Sequence, residues 1–240
     1  MGDEPLQLDR VVQPMREPIR QYAALLRELA GANAKALTLF GAIAAGTFDA
    51  TRHTVRNVLL LDKVDLAMLR RLAENGAKLG KSRISAPLIM TTEYIKASLD
   101  TFPLELIEIQ QMHLTVFGDD PFDGLKFDVE HVRLQCEREF KSLLIGLRQG
   151  LLAAAGRDKA LEAVELDIGE GLLRAMRGTL WLKGLKEAKS SSDVVAEMEK
   201  TTEKKLPGIR TALEVTGHHG WEQFEALYRD VEALAEAADA

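Results

Sequence analysis

Apolar positions set the first division of the chain. Residues 17–30 (EPIRQYAALLRELA) repeat apolar side chains at helical spacing and stop at Gly31, which predicts a helix. Four short apolar runs bounded by turn residues follow: ALTLF (36–40), VRNVLLL (55–61), APLIMT (86–91) and PLELIEI (103–109). Each has strand length. Between them, residues 61–80 predict an amphipathic helix and residues 91–99 a shorter one. Strands interleaved with helices indicate an α/β layer.

Beyond Pro121 the strand texture stops. Residues 128–155, 158–187, 191–204 and 221–238 read as helices, punctuated by Gly156, the SSSD cluster, Pro207-Gly208 and the GHHG turn. The last carries Trp221, Phe224, Leu227, Tyr228, Val231 and Leu234 along one stripe, a core pattern. The expected fold class is α+β: a small mixed-sheet domain over residues 1–125, then an all-α helical bundle over 126–240.

Composition narrows the function without naming it. The chain has 240 residues, enough for one large or two small domains with a real core. A net charge of −6 argues against a general nucleic-acid binder. One cysteine, Cys136, excludes an internal disulfide and reads as a core residue. The acidic start MGDEPLQLDR lacks the features of a secretory signal, and no apolar run has membrane-spanning length. The expected setting is cytoplasmic.

Candidate chemistry concentrates in LFGAIAAGTFDATRHTVRNVLLLD (39–62). Gly41 and Gly46 bracket four residues, as in a phosphate loop, but Thr47 follows Gly46 directly and the lysine such a loop needs is missing. The order of helix, strand, Gly-small dipeptide, loop, buried strand and helix instead resembles the nucleotidyltransferase superfamily, in particular its aminoglycoside-nucleotidyltransferase-like, bacterial-type branch with a C-terminal helical bundle. The resemblance continues through residues 102–125 and the helix RLQCEREFKSLLIGLRQ (133–149).

It implies that Gly41-Ala42 stands where the family has a Gly-Ser that contacts nucleotide phosphates. The next strand should carry acids at i and i+2, facing the same way to hold Mg²⁺. Here those positions are Val55 and Asn57, so the metal site is degenerate. The third acid falls in PLELIEI, with Glu108 preferred over Glu105. Nucleotide contacts are expected from Gly41, Ala42, Asn57, Lys141 and Arg148.

The resulting expectation is a fold that has lost metal-dependent transfer and acts as a nucleotide- or partner-binding, regulatory module. A nucleotide would lie in the cleft between the two domains, or a protein partner or second copy would dock. No cofactor is required, and neither membrane nor nucleic acid is an expected partner. The alternative is an active nucleotidyltransferase that draws its metal acids from Asp49, Asp62 and Glu108, with Mg²⁺ as cofactor. Asp65 is expected in the first turn of the following helix. His218-His219 reads as a loop pair rather than a metal site.

Overall fold

The computed structural model describes residues 5–186, 190–213 and 220–239. The chain divides into two compact units: residues 1–99 with 108–126, and residues 100–107 with 127–240. Residues 100–107 thus group with the helical part, although they precede the expected boundary after residue 125.

The first unit is built on a four-stranded sheet. Helix α1 (Gln13–Ala30) leads by a short 3-10 turn into β1 (Ala34–Phe40), and the four-residue α2 (Ala42–Ala45) connects β1 to β2 (Arg56–Leu61). Helices α3 (Leu66–Ala73) and α4 (Gly76–Lys81), strand β3 (Leu88–Met90), α5 (Thr92–Ala97), α6 (Pro103–Gln111) and β4 (His113–Phe117) follow. The strand order is β3-β2-β1-β4. β1 runs antiparallel to β2 and β4, and β2 runs parallel to β3, so the sheet is mixed.

Alternation sorts the strand residues onto two faces. Leu37 and Leu39 of β1, with Leu59 and Leu61 of β2, pack against Ile19, Tyr22 and Leu26 of α1. That α1 stripe is the one the sequence periodicity predicted. Helix α3 adds Met68 and Leu72 to the same core.

Two expectations are corrected here. PLELIEI is helix α6 rather than a strand. Its acids are three apart, and Leu104, Leu106, Ile107 and Ile109 are all buried, so burial on several sides removes the period-two signature. The single helix expected over 61–80 is two, α3 and α4, broken at Asn75-Gly76. Asp65 lies one position before α3 and caps it: its carboxylate accepts hydrogen bonds from Ala67 N (2.9 Å) and Met68 N (3.3 Å).

The second unit is helical. It contains α7 (Val129–Ala154), α8 (Asp158–Leu182), α9 (Ser191–Thr202), α10 (Pro207–Leu213) and α11 (Trp221–Asp239). Asp128 caps α7, and Ser190 with Asp193 forms a capping box on α9. Phe140, Leu144 and Leu147 of α7 meet Leu172 and Met176 of α8, Val194 of α9, Ile209 of α10, and Phe224, Leu227 and Val231 of α11. Among the described residues no helix is long and apolar enough to cross a membrane.

Candidate functional site

β1 ends at Phe40, and the chain reverses at Gly41 with φ 73° and ψ −141°, a conformation side-chain-bearing residues rarely adopt. The turn is tied down from both directions. Gly41 N donates to Met112 O (3.1 Å), and Gly41 O accepts from Ala44 N and Ala45 N (2.9 Å each). Ala42 places a methyl group where the family resemblance expects a serine hydroxyl. The backbone of the turn is present, but this position contributes no side-chain donor.

Strand β2 and the residue just before it carry the two positions at which the resemblance implies metal acids. Val55 is wholly buried and Asn57 is 1% exposed, both on the face covered by α1. Asn57 Oδ1 accepts from the Tyr22 hydroxyl at 2.9 Å. Its Nδ2 donates to Ser85 O at 3.0 Å and Val55 O at 3.3 Å. Burial pushes the Tyr22 hydroxyl pKa well above its ordinary value, so it remains a donor at any ordinary pH. Tyr22→Phe is expected to cost about 1–3 kcal/mol, because Asn57 Oδ1 is then buried without a donor. A lower urea midpoint at unchanged slope would register that cost.

Mg²⁺ requires octahedral oxygen ligands at about 2.0–2.1 Å. Valine offers no oxygen, and the one oxygen of Asn57 is already engaged in the core. The residues at these two positions do not fit the ion. Among the described residues, no group of three or more His, Cys, Asp or Glu side chains is arranged to hold a metal.

The residue between them points the other way. Arg56 Nη1 lies 3.3 Å from Glu108 Oε1, and its guanidinium sits 4.5 Å above the Phe40 ring. A Cβ at Gly41 would be 3.8 Å from the Arg56 side chain. The sheet face opposite α1 therefore carries a cation beside the Gly41 turn, balanced by Glu108. The resemblance implies an acid at Glu108 on a strand. Glu108 is buried, pairs with Arg56 and stands on helix α6.

The other candidate acids are dispersed. Asp62 follows the far end of β2 and meets Lys35 at 3.6 Å, with both side chains largely exposed. A strand rises about 3.3 Å per residue, which separates Asp62 from Arg56 by roughly 20 Å along β2. Asp49 is a turn acceptor for Thr51 N (2.8 Å) and Thr51 Oγ1 (2.7 Å), and these bonds hold its pKa below the ordinary carboxylate value. Glu105 pairs with Arg174 at 3.0 Å in the second unit.

Lys141 and Arg148 both lie on α7 in the second unit. Lys141 Nζ meets Glu137 at 2.7 Å. Arg148 Nε donates to the Tyr228 hydroxyl at 2.8 Å. Cys136 is buried, which pushes its thiol up to about 12, so it is no nucleophile at neutral pH. His218 and His219 lie outside the described residues.

One feature carried no sequence signal. A cavity of about 840 Å³ borders β4, lined by Gln7, Arg10, His113, Thr115 and Asp120 among others. His113 Nδ1 lies 3.0 Å from both Ile109 O and Gln110 O, and Nε2 lies 2.6 Å from Asp120 Oδ2. Acceptors face both ring nitrogens, which fixes the orientation of the ring. These partners come from a helix end and a loop that only the fold brings together.

No family model matches the chain, and no curated protein matches it. Among solved structures it is similar to spectinomycin adenyltransferase AAD(9) from Enterococcus faecialis, determined with ATP and spectinomycin. That similarity covers 90% of this chain and 98% of the other, at 10% sequence identity and a TM-score of 0.38.

Proposed function

We propose that this chain is a nucleotidyltransferase-type scaffold that no longer carries out metal-dependent transfer and serves as a nucleotide- or partner-binding module. The observation that carries this reading is the burial of Asn57 with both ends of its amide hydrogen-bonded inside the protein. Paired acids that grip a metal must reach solvent and substrate. The residues at these two positions instead close the core beneath α1.

The nucleotide arm of the proposal uses what the turn retains. Backbone at Gly41-Ala42 and the Arg56 guanidinium present a small polar surface suited to a phosphate. Binding there draws on hydrogen bonds and a cation, so it does not need Mg²⁺. The competing reading, transfer driven by acids at Asp62 and Glu108, lacks geometric support. Two ligands of one ion lie within about 5 Å of each other, whereas Glu108 pairs with the residue that begins β2 and Asp62 follows its far end.

Calorimetric titration with ATP, with and without Mg²⁺, separates the two. Equal affinity in both conditions and no release of pyrophosphate are expected. Binding that requires Mg²⁺, or pyrophosphate release that depends on it, would overturn the proposal.

A further inference from the structure

The second unit has a surface on which two neighbouring helices carry opposite charge. At about 100° per residue, Leu134, Arg138, Lys141, Ile145, Arg148 and Leu152 of α7 fall within a sector of about 80°. All six are exposed, and the sector holds three cations and one acid, Glu130, in the first turn of the helix. Leu134, Ile145 and Leu152 are 57%, 55% and 80% exposed. A helix that leaves three large aliphatic side chains in water has an unpartnered face.

α11 packs beside α7 with the opposite sign. Glu222, Glu225, Glu232 and Glu236 fall within a similar sector of about 80°, with Arg229 among them. A depression of about 360 Å³ lies between the two helices, and Leu151, Trp221, Phe224 and Tyr228 form its apolar lining. Trp221 stands at its edge, 53% exposed and stacked on Phe224. Across the depression Arg148 bonds to the Tyr228 hydroxyl (2.8 Å), which donates to Glu232 (3.2 Å). Arg148 with Tyr228 and Glu232, and Leu151 with Trp221 and Phe224, set the two helices antiparallel.

We propose that this α7–α11 face binds a second copy of the same chain. A basic helix beside an acidic one is self-complementary under one operation, a two-fold axis running parallel to the helices between them. Rotation about that axis lays α7 of one copy over α11 of the other at the same height. Arg148 then meets Glu232 of the second copy, Trp221 covers its Leu152, and the exposed aliphatic residues leave water together. A partner with a uniformly acidic surface would match α7 but face like charge along α11, so the charge pattern selects a copy over such a partner.

A pair of charge reversals separates contacts between copies from contacts within one. Arg148→Glu gives a chain with two acids at these positions, and Glu232→Arg gives one with two cations. Each alone breaks both the internal pair and the pair between copies. Mixed together, they restore only the pairs between copies.

Sedimentation of the full chain at tens of micromolar is expected to give twice the chain mass for the wild type. Each variant alone should give the single mass, with an unchanged circular dichroism spectrum, and the equimolar mixture should again give the double mass. Trp221→Ala, which changes no charge, should weaken self-association about tenfold or more. A monomeric wild type would overturn the proposal, as would variants that dimerise alone or a mixture of folded variants that stays monomeric.

Discussion

Introducing acids by Val55→Asp and Asn57→Asp is expected to unfold the sheet unit rather than create a metal site. Both positions are almost completely inaccessible to solvent. At residue 57 a carboxylate oxygen would replace Nδ2, which now donates to Ser85 O at 3.0 Å, leaving two acceptors in contact. The Tyr22 hydroxyl could donate to the other oxygen but cannot offset the lost solvation. Burying an uncompensated charge costs several kcal/mol even after relaxation, so two of them together approach the entire stability of an ordinary domain, about 5–15 kcal/mol. Adding Mg²⁺ should give no rescue, because the ion would have to shed its water within a packed core. Thermal melts of the double variant with and without millimolar Mg²⁺ test this. The expected trace lacks the sheet unit's transition in either condition, and a transition restored by Mg²⁺ would refute the account of β2.

The second large effect concerns the end of the edge strand. Gly118 follows β4 with φ +78°, and a Cβ there would lie 1.9 Å from Lys35 O and 2.9 Å from Ala36 Cα. Gly118→Ala thus meets two penalties. The left-handed conformation costs roughly 1–2 kcal/mol for an L residue. The collision is with backbone of the neighbouring strand β1, which no rotamer change can relieve, and forced repacking of this kind costs about 1–3 kcal/mol. Together they predict a fall in melting temperature on the order of 10 °C. Gly124→Ala is the matched control. Gly124 also has positive φ, +69°, but a Cβ there meets nothing within 4 Å. Only the conformational part should remain, and equal losses in the two variants would show that the close approach to Lys35 contributes nothing.

How much of this could be read from the sequence depends on whether a segment has one buried face or several. Helix α1 buries Met15, Ile19, Tyr22, Ala23 and Leu26 on one side, so its period is plain from residue letters. Helix α10 begins at Pro207-Gly208, a pair that reads as a break, whereas the other four bundle helices are legible for the same reason as α1. Segment 103–109 is not, because it is apolar nearly all round, and the more useful signal was Pro103 at the first helical position. His113–Phe117 forms β4, with buried Leu114 and Val116 alternating with His113 and Thr115 over only five residues.

β2 shows the deeper limit. The family resemblance implies that Val55 and Asn57 stand at metal positions, but apolar residues occupy both faces of the strand. Letters alone therefore could not say which face α1 covers. The structure puts both positions into the core and turns Arg56 to the opposite side. The His113–Asp120 contact and the opposed charges of α7 and α11 likewise depend on neighbours that only the folded chain supplies.

The most direct test looks at Asn57 itself in solution. Its side-chain amide can be followed by ¹⁵N NMR while Mg²⁺ is raised to millimolar levels, first alone and then with ATP. A buried amide bonded to Ser85 O, Val55 O and Tyr22 should exchange slowly with water and keep its chemical shift throughout the Mg²⁺ titration. A fast-exchanging amide whose resonance moves saturably with Mg²⁺ would mean that Asn57 faces the ion, and the account of a core-facing β2 would be wrong.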